Sequence, residues 1–340
     1  MLRIDTLKMI LPPEAISEIA TERMLFQPII SGATGESISE KGFINNPGVG
    51  IKRVELNKQT GEVIAEVSGK CLGSDYFDLI NINTIEKVFD SLNSCSPVTF
   101  IPGKAIESAK VLTMDCTNNL KVSAPIDSYL TALNQIRVND RYNVTDYRKP
   151  GNKGVVIAGK QKSFKERQIF YHKSLDIQRD KALKEQPYYE KVKSDHQNVL
   201  RVEGNFTSLE RIRHYTGGTT NLVEILRSGK NPNLTLFEKV TKKNSDCQLL
   251  IELQGGKYAG MTLHQLEKRK GMEGIIRESN FDMNIILMVI RETRSKGSNN
   301  SKVIRNYRAL LSELIESESE GSTVKRNILI EEIRQLLKAS

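Results

Sequence analysis

The chain of 340 residues has no tryptophan, four cysteines and four histidines. No apolar run approaches the roughly 18 residues of a membrane helix, and Met1 to Pro13 lacks a signal-peptide core and cleavage site. Membrane insertion and secretion are therefore not expected. Cys71, Cys95, Cys116 and Cys247 show no Cys-x-x-Cys spacing and no paired histidines nearby, which argues against structural zinc and for reduced thiols in a cytoplasm. His172, His196, His214 and His264 are too scattered for an adjacent metal-binding pair. A Walker A motif, a Gly-x-Gly-x-x-Gly loop after a strand and a His-Glu-x-x-His helix are also missing. Nucleotide hydrolases, dinucleotide enzymes and zinc proteases lose ground accordingly.

Hydrophobic residues make up 38% and charged residues 27%, the composition of a globular chain rather than a disordered one. The formal net charge is +9. From Arg148 to Arg213 there are 16 Lys and Arg against 8 Asp and Glu, so nearly all of the excess lies in one fifth of the chain. Phe170, Tyr171, Tyr188 and Tyr189 are interleaved with these cations. A basic segment carrying aromatic rings suits a polyanion such as nucleic acid; a solvated basic helix would have the same composition.

Periodicity gives an α+β outline. Strand patterns fall at Leu2–Ile10, at Ile51–Leu56 and Glu62–Ser68 around an Asn-Lys-Gln-Thr-Gly turn, at Lys110–Asp115, Gly154–Gly159, Gln168–Tyr171 and Leu200–Phe206. Helical stripes fall at Thr84–Leu92 and Pro125–Leu133, and Lys173 to Val192 is helix-compatible but interrupted by Pro187. This order fits an antiparallel sheet with helices on one face rather than repeated βαβ units. Beyond Thr216-Gly-Gly-Thr-Thr220 the pattern is helical throughout. Lys296–Ser301 reads as a turn, and Glu316–Ser322 as an acidic linker before a terminal helix over Val324–Ala339. The expected division is 1–217 and a helical domain over 218–340.

The segment Ile169-Phe-Tyr-His-Lys-Ser-Leu-Asp-Ile177 places a tyrosine after a short apolar run, with a lysine two residues on. A phenol is a poor nucleophile at its ordinary pKa of about 10. A neighbouring ammonium favours the phenolate, and attack on a phosphodiester would conserve bond energy in a phosphotyrosine. Tyr171 is also readable as a half-buried strand tyrosine, the more ordinary outcome of such a local pattern. Asp115 and Glu203 are acids in otherwise apolar strands, where a carboxylate must be paired or bind a cation. Oxygen ligands would favour Mg²⁺ or Mn²⁺; an ion pair of Glu203 with Arg201 or a nearby lysine is the alternative.

Four segments, in order, carry a resemblance. They are Glu66-Val-Ser-Gly-Lys-Cys-Leu-Gly-Ser-Asp-Tyr-Phe77, Val111-Leu-Thr-Met-Asp-Cys-Thr117, Ile169–Ile177 and Leu200-Arg-Val-Glu-Gly-Asn-Phe206. Over about residues 50–215 the chain resembles the filamentous-phage gene II and plasmid rolling-circle replication initiators. The resemblance implies an HUH-endonuclease-like antiparallel sheet with flanking helices and a nuclease that opens one strand of an origin. It implies Tyr171 as nucleophile, Lys173 beside the scissile phosphate, and Asp115, Glu203 and Glu66 as ligands for Mg²⁺ or Mn²⁺. It implies single- and double-stranded origin DNA as the partner and a bacterial cytoplasm as the place; the helical tail is expected to add duplex DNA contacts or to recruit host helicase and polymerase. The chain departs from the family in lacking a His-apolar-His pair, the arginine before Asp115 and the histidine near Gly73. His172 is expected on the strand face opposite Tyr171. Tyr188 and Tyr189 are fallback nucleophiles. A non-catalytic origin binder or transcription regulator is the alternative function.

Overall fold

In the computed structural model the described residues are 2–30, 37–134, 141–147, 153–161, 165–241, 263–279, 282–293 and 301–340, with a few single positions between them. The strands are β1 (Ile4–Leu11), β2 (Ile16–Ile19), β3 (Leu25–Ile30), β4 (Ser37–Gly48), β5 (Ile51–Asn57), β6 (Val63–Ser68), β7 (Val98–Phe100), β8 (Lys110–Lys121), β9 (Tyr142–Asp146), β10 (Gly154–Gly159), β11 (Glu166–His172) and β12 (Val199–Phe206). The helices are α1 (Ile85–Cys95), α2 (Pro102–Ser108), α3 (Ile126–Asn134), α4 (Lys173–Ile177), α5 (Lys181–Lys184), α6 (Tyr189–Asp195), α7 (Leu209–Thr216), α8 (Leu222–Arg227), α9 (Pro232–Val240), α10 (Leu263–Glu278), α11 (Met283–Thr293) and α12 (Ser301–Ala339). None of them is long and apolar enough to cross a membrane.

Ten strands form one sheet in the order β3-β4-β5-β6-β1-β8-β12-β11-β10-β9, every neighbouring pair antiparallel. The strands read from alternation are all present. β8 runs on to Lys121, well past the expected end at Asp115. The Cys-Thr-Asn-Asn-Leu stretch is a poor strand former, but Cys116 to Lys121 pair residue by residue with Gly204 to Val199 of β12. Tertiary pairing overrides local propensity there.

One face of the sheet is apolar. Leu7, Met9 and Leu11 of β1 and Leu200, Val202 and Phe206 of β12 are fully buried. They share a core with Val88, Phe89 and Leu92 of α1, Ile212 of α7 and Leu236 and Phe237 of α9. The Phe170 ring meets Phe237 edge-on at 5.9 Å. Asn233 pins α9 to the sheet, its amide donating to the Cys116 carbonyl at 2.9 Å and to Asn118 Oδ1 at 2.7 Å.

The opposite face of β12 carries Arg201, Glu203 and Asn205, and these are buried too. Alternation in this strand therefore separates an apolar core from a polar interior, not core from solvent. The cover is a 3₁₀ segment, Gly69–Asp78, together with α4, α5 and α6. Tyr76, Leu79, Ile177, Leu183 and Val192 form the small apolar cluster that holds this cover together. Lys173 to Val192 is thus three short helices, broken before Pro187 as its φ constraint requires.

The chain divides into one unit of 1–243 plus 329–340 and a second of 244–328, so the division falls at 243/244 rather than at 217/218. α8 and α9 belong to the sheet unit because Leu222, Ile225, Leu226, Leu236, Phe237 and Val240 complete its core. In the second unit, Ile276, Ile286, Ile290, Tyr307, Leu310 and Leu311 form a separate cluster. The expected linker at Glu316–Ser322 is instead helical backbone within α12. Glutamate is a good helix former, and the single Gly321 costs only about 1 kcal/mol. The expected turn at Lys296–Ser301 lies outside the described residues up to position 300.

The residues of α12 from Leu329 onward return to the sheet unit, burying Ile330, Ile333 and Leu337. Glu332 accepts from Tyr129 Oη at 2.6 Å and from Ser123 Oγ at 2.9 Å. Leu337→Ala is expected to lower the unfolding free energy of the sheet unit by about 2–5 kcal/mol. Urea denaturation checks this; an unchanged midpoint would show that the terminal turns do not contribute to the core.

Candidate functional site

Tyr171 is the penultimate residue of β11 and stands opposite Arg201 of β12. Lys173 is the first residue of α4. The Tyr171 hydroxyl donates to Glu203 Oε1 at 2.6 Å, and Lys173 Nζ approaches the same hydroxyl at 3.5 Å. Lys173 also donates to Asp176 Oδ2 at 2.9 Å. Three of the sequence-predicted residues, Tyr171, Lys173 and Glu203, are thus brought together under the cover layer.

Arg201, fully buried, is the centre of the arrangement. Its Nε donates to Asn119 Oδ1 at 2.9 Å and its Nη1 to Tyr76 Oη at 3.1 Å. The same Nη1 lies 3.2 Å from Asp5 Oδ2 and 3.9 Å from Glu203 Oε1. Nη2 lies 3.2 Å from His196 Nε2. A guanidinium can only donate, so Nε2 is the acceptor and the ring proton is on Nδ1, which faces the Val192 carbonyl at 2.8 Å. Burial, with Arg201 beside it, pulls the His196 pKa down to about 3, so the ring stays neutral.

Asp5 reaches this cluster through a register irregularity. The pairing of β1 with β8 shifts between Ile4 and Thr6. Such a shift re-aims the intervening side chain, and Asp5 meets Arg201. Burial would raise the Asp5 carboxyl, but the charges of Arg201, Lys173 and Lys70 reverse this and hold it below its ordinary value. Glu203 goes the other way: burial and the Asp5 charge push it up to about 7 despite Arg201. Two neighbouring buried carboxylates thus divide the roles of anion and proton acceptor. Tyr171 is raised well above the usual tyrosine range by burial and by the Glu203 charge.

The other two carboxylates singled out in the sequence lie on the same polar face at different points. Asp115 accepts from Asn205 Nδ2 at 2.6 Å, and burial raises its pKa. Glu66, half-buried on β6, pairs with Lys52 at 3.5 Å. Among the described residues no three His, Cys, Asp or Glu side chains gather as a metal ion would require. The positive charge between Asp5 and Glu203 is a guanidinium. The expected Asp115–Glu203–Glu66 ligand set is not brought together here: Asp115 accepts from Asn205, Glu203 accepts from Tyr171 with Arg201 3.9 Å away, and Glu66 faces Lys52 at 3.5 Å.

His172 lies opposite Leu200 in register, on the face away from Tyr171, with Nδ1 2.9 Å from Ser174 Oγ. Tyr188 and Tyr189 pack against the cover's apolar cluster, and Lys193 sits over the Tyr189 ring at 5.7 Å. Sequence reasoning missed Asp5, Tyr76, Asn119 and His196. Asp5 had a signal, being an acid inside the alternating Leu2–Ile10 strand as Asp115 is inside its own. Tyr76, Asn119 and His196 had none, since each is defined by a guanidinium far away in sequence.

No protein-family model and no curated protein matches the chain. Among solved structures it is similar to a rolling circle replication initiator protein from Geobacillus stearothermophilus, at 13% identity and a TM-score of 0.27, over 61% of this chain and 75% of that one.

Removing one partner of a buried ion pair typically costs about 3–5 kcal/mol because the other charge stays buried. Arg201→Met is expected to destabilise the sheet unit by that amount. Adding Asp5→Asn and Glu203→Gln should recover most of the loss. Equal denaturation midpoints for the single and triple variants would contradict the assignment of Arg201 as the shared counter-ion.

Proposed function

We propose that this chain is an origin-specific DNA nickase and strand transferase of the rolling-circle replication-initiator type. The observation that carries the proposal is the 2.6 Å hydrogen bond from Tyr171 to Glu203, with Lys173 on the same hydroxyl. Glu203, with a pKa near neutrality, is matched to take a proton at physiological pH. In the ionised state it accepts the phenol proton, and the phenolate oxygen attacks the phosphorus of a DNA phosphodiester. The O–P bond to Tyr171 forms and the P–O3′ bond breaks. The proton held by Glu203 passes to the departing 3′ oxygen. The reverse sequence, with a 3′ hydroxyl as nucleophile, releases Tyr171 and rejoins the strand.

Lys173 and Arg201 stabilise negative charge on the phenolate and on the phosphoryl oxygens. The exposed cations Arg179, Lys181, Lys184 and Lys191 stand on or beside the covering helices, where a DNA backbone would meet them. DNA reaches Tyr171 in this reading when the cover lifts, since the tyrosine is only 3% exposed. That burial favours a second reading, a non-catalytic origin binder in which the Tyr171–Glu203–Arg201 cluster is purely structural.

The two readings separate on purified protein incubated with supercoiled DNA of its own replicon, in Mg²⁺, in Mn²⁺ and in EDTA. The nickase reading expects nicked circles with protein on the 5′ end, lost in Tyr171→Phe. It also expects a nicking rate that rises as pH increases through about 7, where Glu203 becomes ionised, and a flat profile without that step in Glu203→Gln. The EDTA arm reads the divalent-ion requirement directly. Origin binding without an adduct in any arm would leave the binder reading standing.

A further inference from the structure

A second concentration of positive charge lies outside the central basic segment, in the second unit. From Arg291 to Ser312 there are six Lys and Arg against a single acid, Glu292. The latter part of this run is the start of α12. There Lys302, Arg305, Asn306, Arg308, Ala309 and Ser312 are exposed. Tyr307, Leu310 and Leu311 are buried instead, against Ile276 of α10 and Ile286 and Ile290 of α11. With 3.6 residues per turn, the exposed set covers an arc of about 160° on one side of the helix. Three cations thus project from one face of a helix whose other face is anchored. Among the described residues none of the three is in an ion pair. Arg269 of α10, by contrast, is paired with Glu273 and with Glu313. Glu313 is the first acid of α12, and Glu316, Glu318 and Glu320 follow it, so the basic face ends at Ser312.

We propose that this face of α12 is a binding surface for duplex DNA, with the helix laid in the major groove and Lys302, Arg305 and Arg308 on the phosphates that border it. The inference takes from the reading above only that DNA is the ligand, and it does not need Tyr171 to cut. Charge alone would suit any polyanion; the shape of the face selects the duplex. The major groove admits an α-helix. The residues between the cations, Asn306, Ala309 and Ser312, are short and let the helix approach closely. A single strand is held largely by stacking on exposed aromatic rings. The one aromatic residue between Ser301 and Ser312 is Tyr307, which is turned into the core. Arginine and asparagine are also the side chains that pair with guanine and adenine edges in that groove, and Arg305 and Asn306 are both exposed on this face.

The test measures binding of the full chain to a short fluorescent duplex of mixed sequence, and to oligo(dT) of the same length, over a range of salt concentrations. Combining Lys302→Ala, Arg305→Ala and Arg308→Ala is expected to weaken duplex binding. The slope of log affinity against log salt should become shallower by about 2.7, since each phosphate contact contributes roughly 0.9. The slope for oligo(dT) should stay as it was. Arg305→Lys with Arg308→Lys keeps the charge and should keep the duplex slope. A control combining Lys104→Ala, Lys110→Ala and Lys338→Ala removes the same charge from exposed positions of the sheet unit and should also leave that slope unchanged. If the alanine triple loses helicity by circular dichroism, the glutamine triple at the same three positions carries the same prediction. An unchanged duplex slope in the α12 triple would overturn the inference. So would an equal fall in the control, or an equal fall for oligo(dT). Failure of the unmodified chain to bind the duplex would overturn it as well, whereas the nickase reading is judged separately, by the Tyr171 adduct.

Discussion

A single buried guanidinium organises the polar interior of the sheet unit. Placing Arg201 inside the sheet unit removes a permanent charge from water, and the cost is offset only if every donor finds a partner and the charge finds an anion. Asp5, Glu203, Tyr76, Asn119 and His196 meet that demand together. They come from β1, β8, β12, the Gly69–Asp78 segment and the turn after α6. The requirement explains several features that otherwise look unrelated: the irregularity that re-aims Asp5, the polar continuation of β8 to Lys121, and the cover over a face that alternation would have left open to solvent.

The same charge sets the chemistry. Arg201 sits nearer to Asp5 than to Glu203, at 3.2 Å against 3.9 Å. Asp5 accordingly keeps its negative charge, and Glu203, buried and repelled by Asp5, holds a proton more tightly than an ordinary glutamate. A carboxylate tuned in this way beside a phenol is suited to moving a proton, whereas two equally ionised acids would not be. Lys173, tied to Asp176 from the start of α4, completes the ring of charge around the Tyr171 hydroxyl.

Much of the frame was legible in the sequence. Alternation located β1, β5, β6, β10, β11 and β12, and the stripe of Ile85, Val88, Phe89 and Leu92 located α1 with its buried face. The sequence set Tyr171 and Lys173 side by side, whereas the approach of Glu203 to them depends on β11 pairing with β12, which only the fold shows. The ligand set of Asp115, Glu203 and Glu66 did not assemble. A carboxylate in an apolar strand announces that it needs a partner but does not say which; here the nearest partners are Asn205, Tyr171 and Lys52. The domain division moved for a related reason. The apolar stripes of α8 and α9 show that each helix buries a face, while the sheet that receives it is known only from the fold.

The most direct measurement is a map of the covalent attachment point. Protein incubated with an oligonucleotide from its own origin, trapped and cleaved after arginine only, should yield one DNA-linked peptide spanning Gln168 to Arg179, with the nucleotide remnant on Tyr171. A remnant on Tyr188 or Tyr189, or on no tyrosine, would contradict the account that the Arg201-centred cluster prepares Tyr171 for attack.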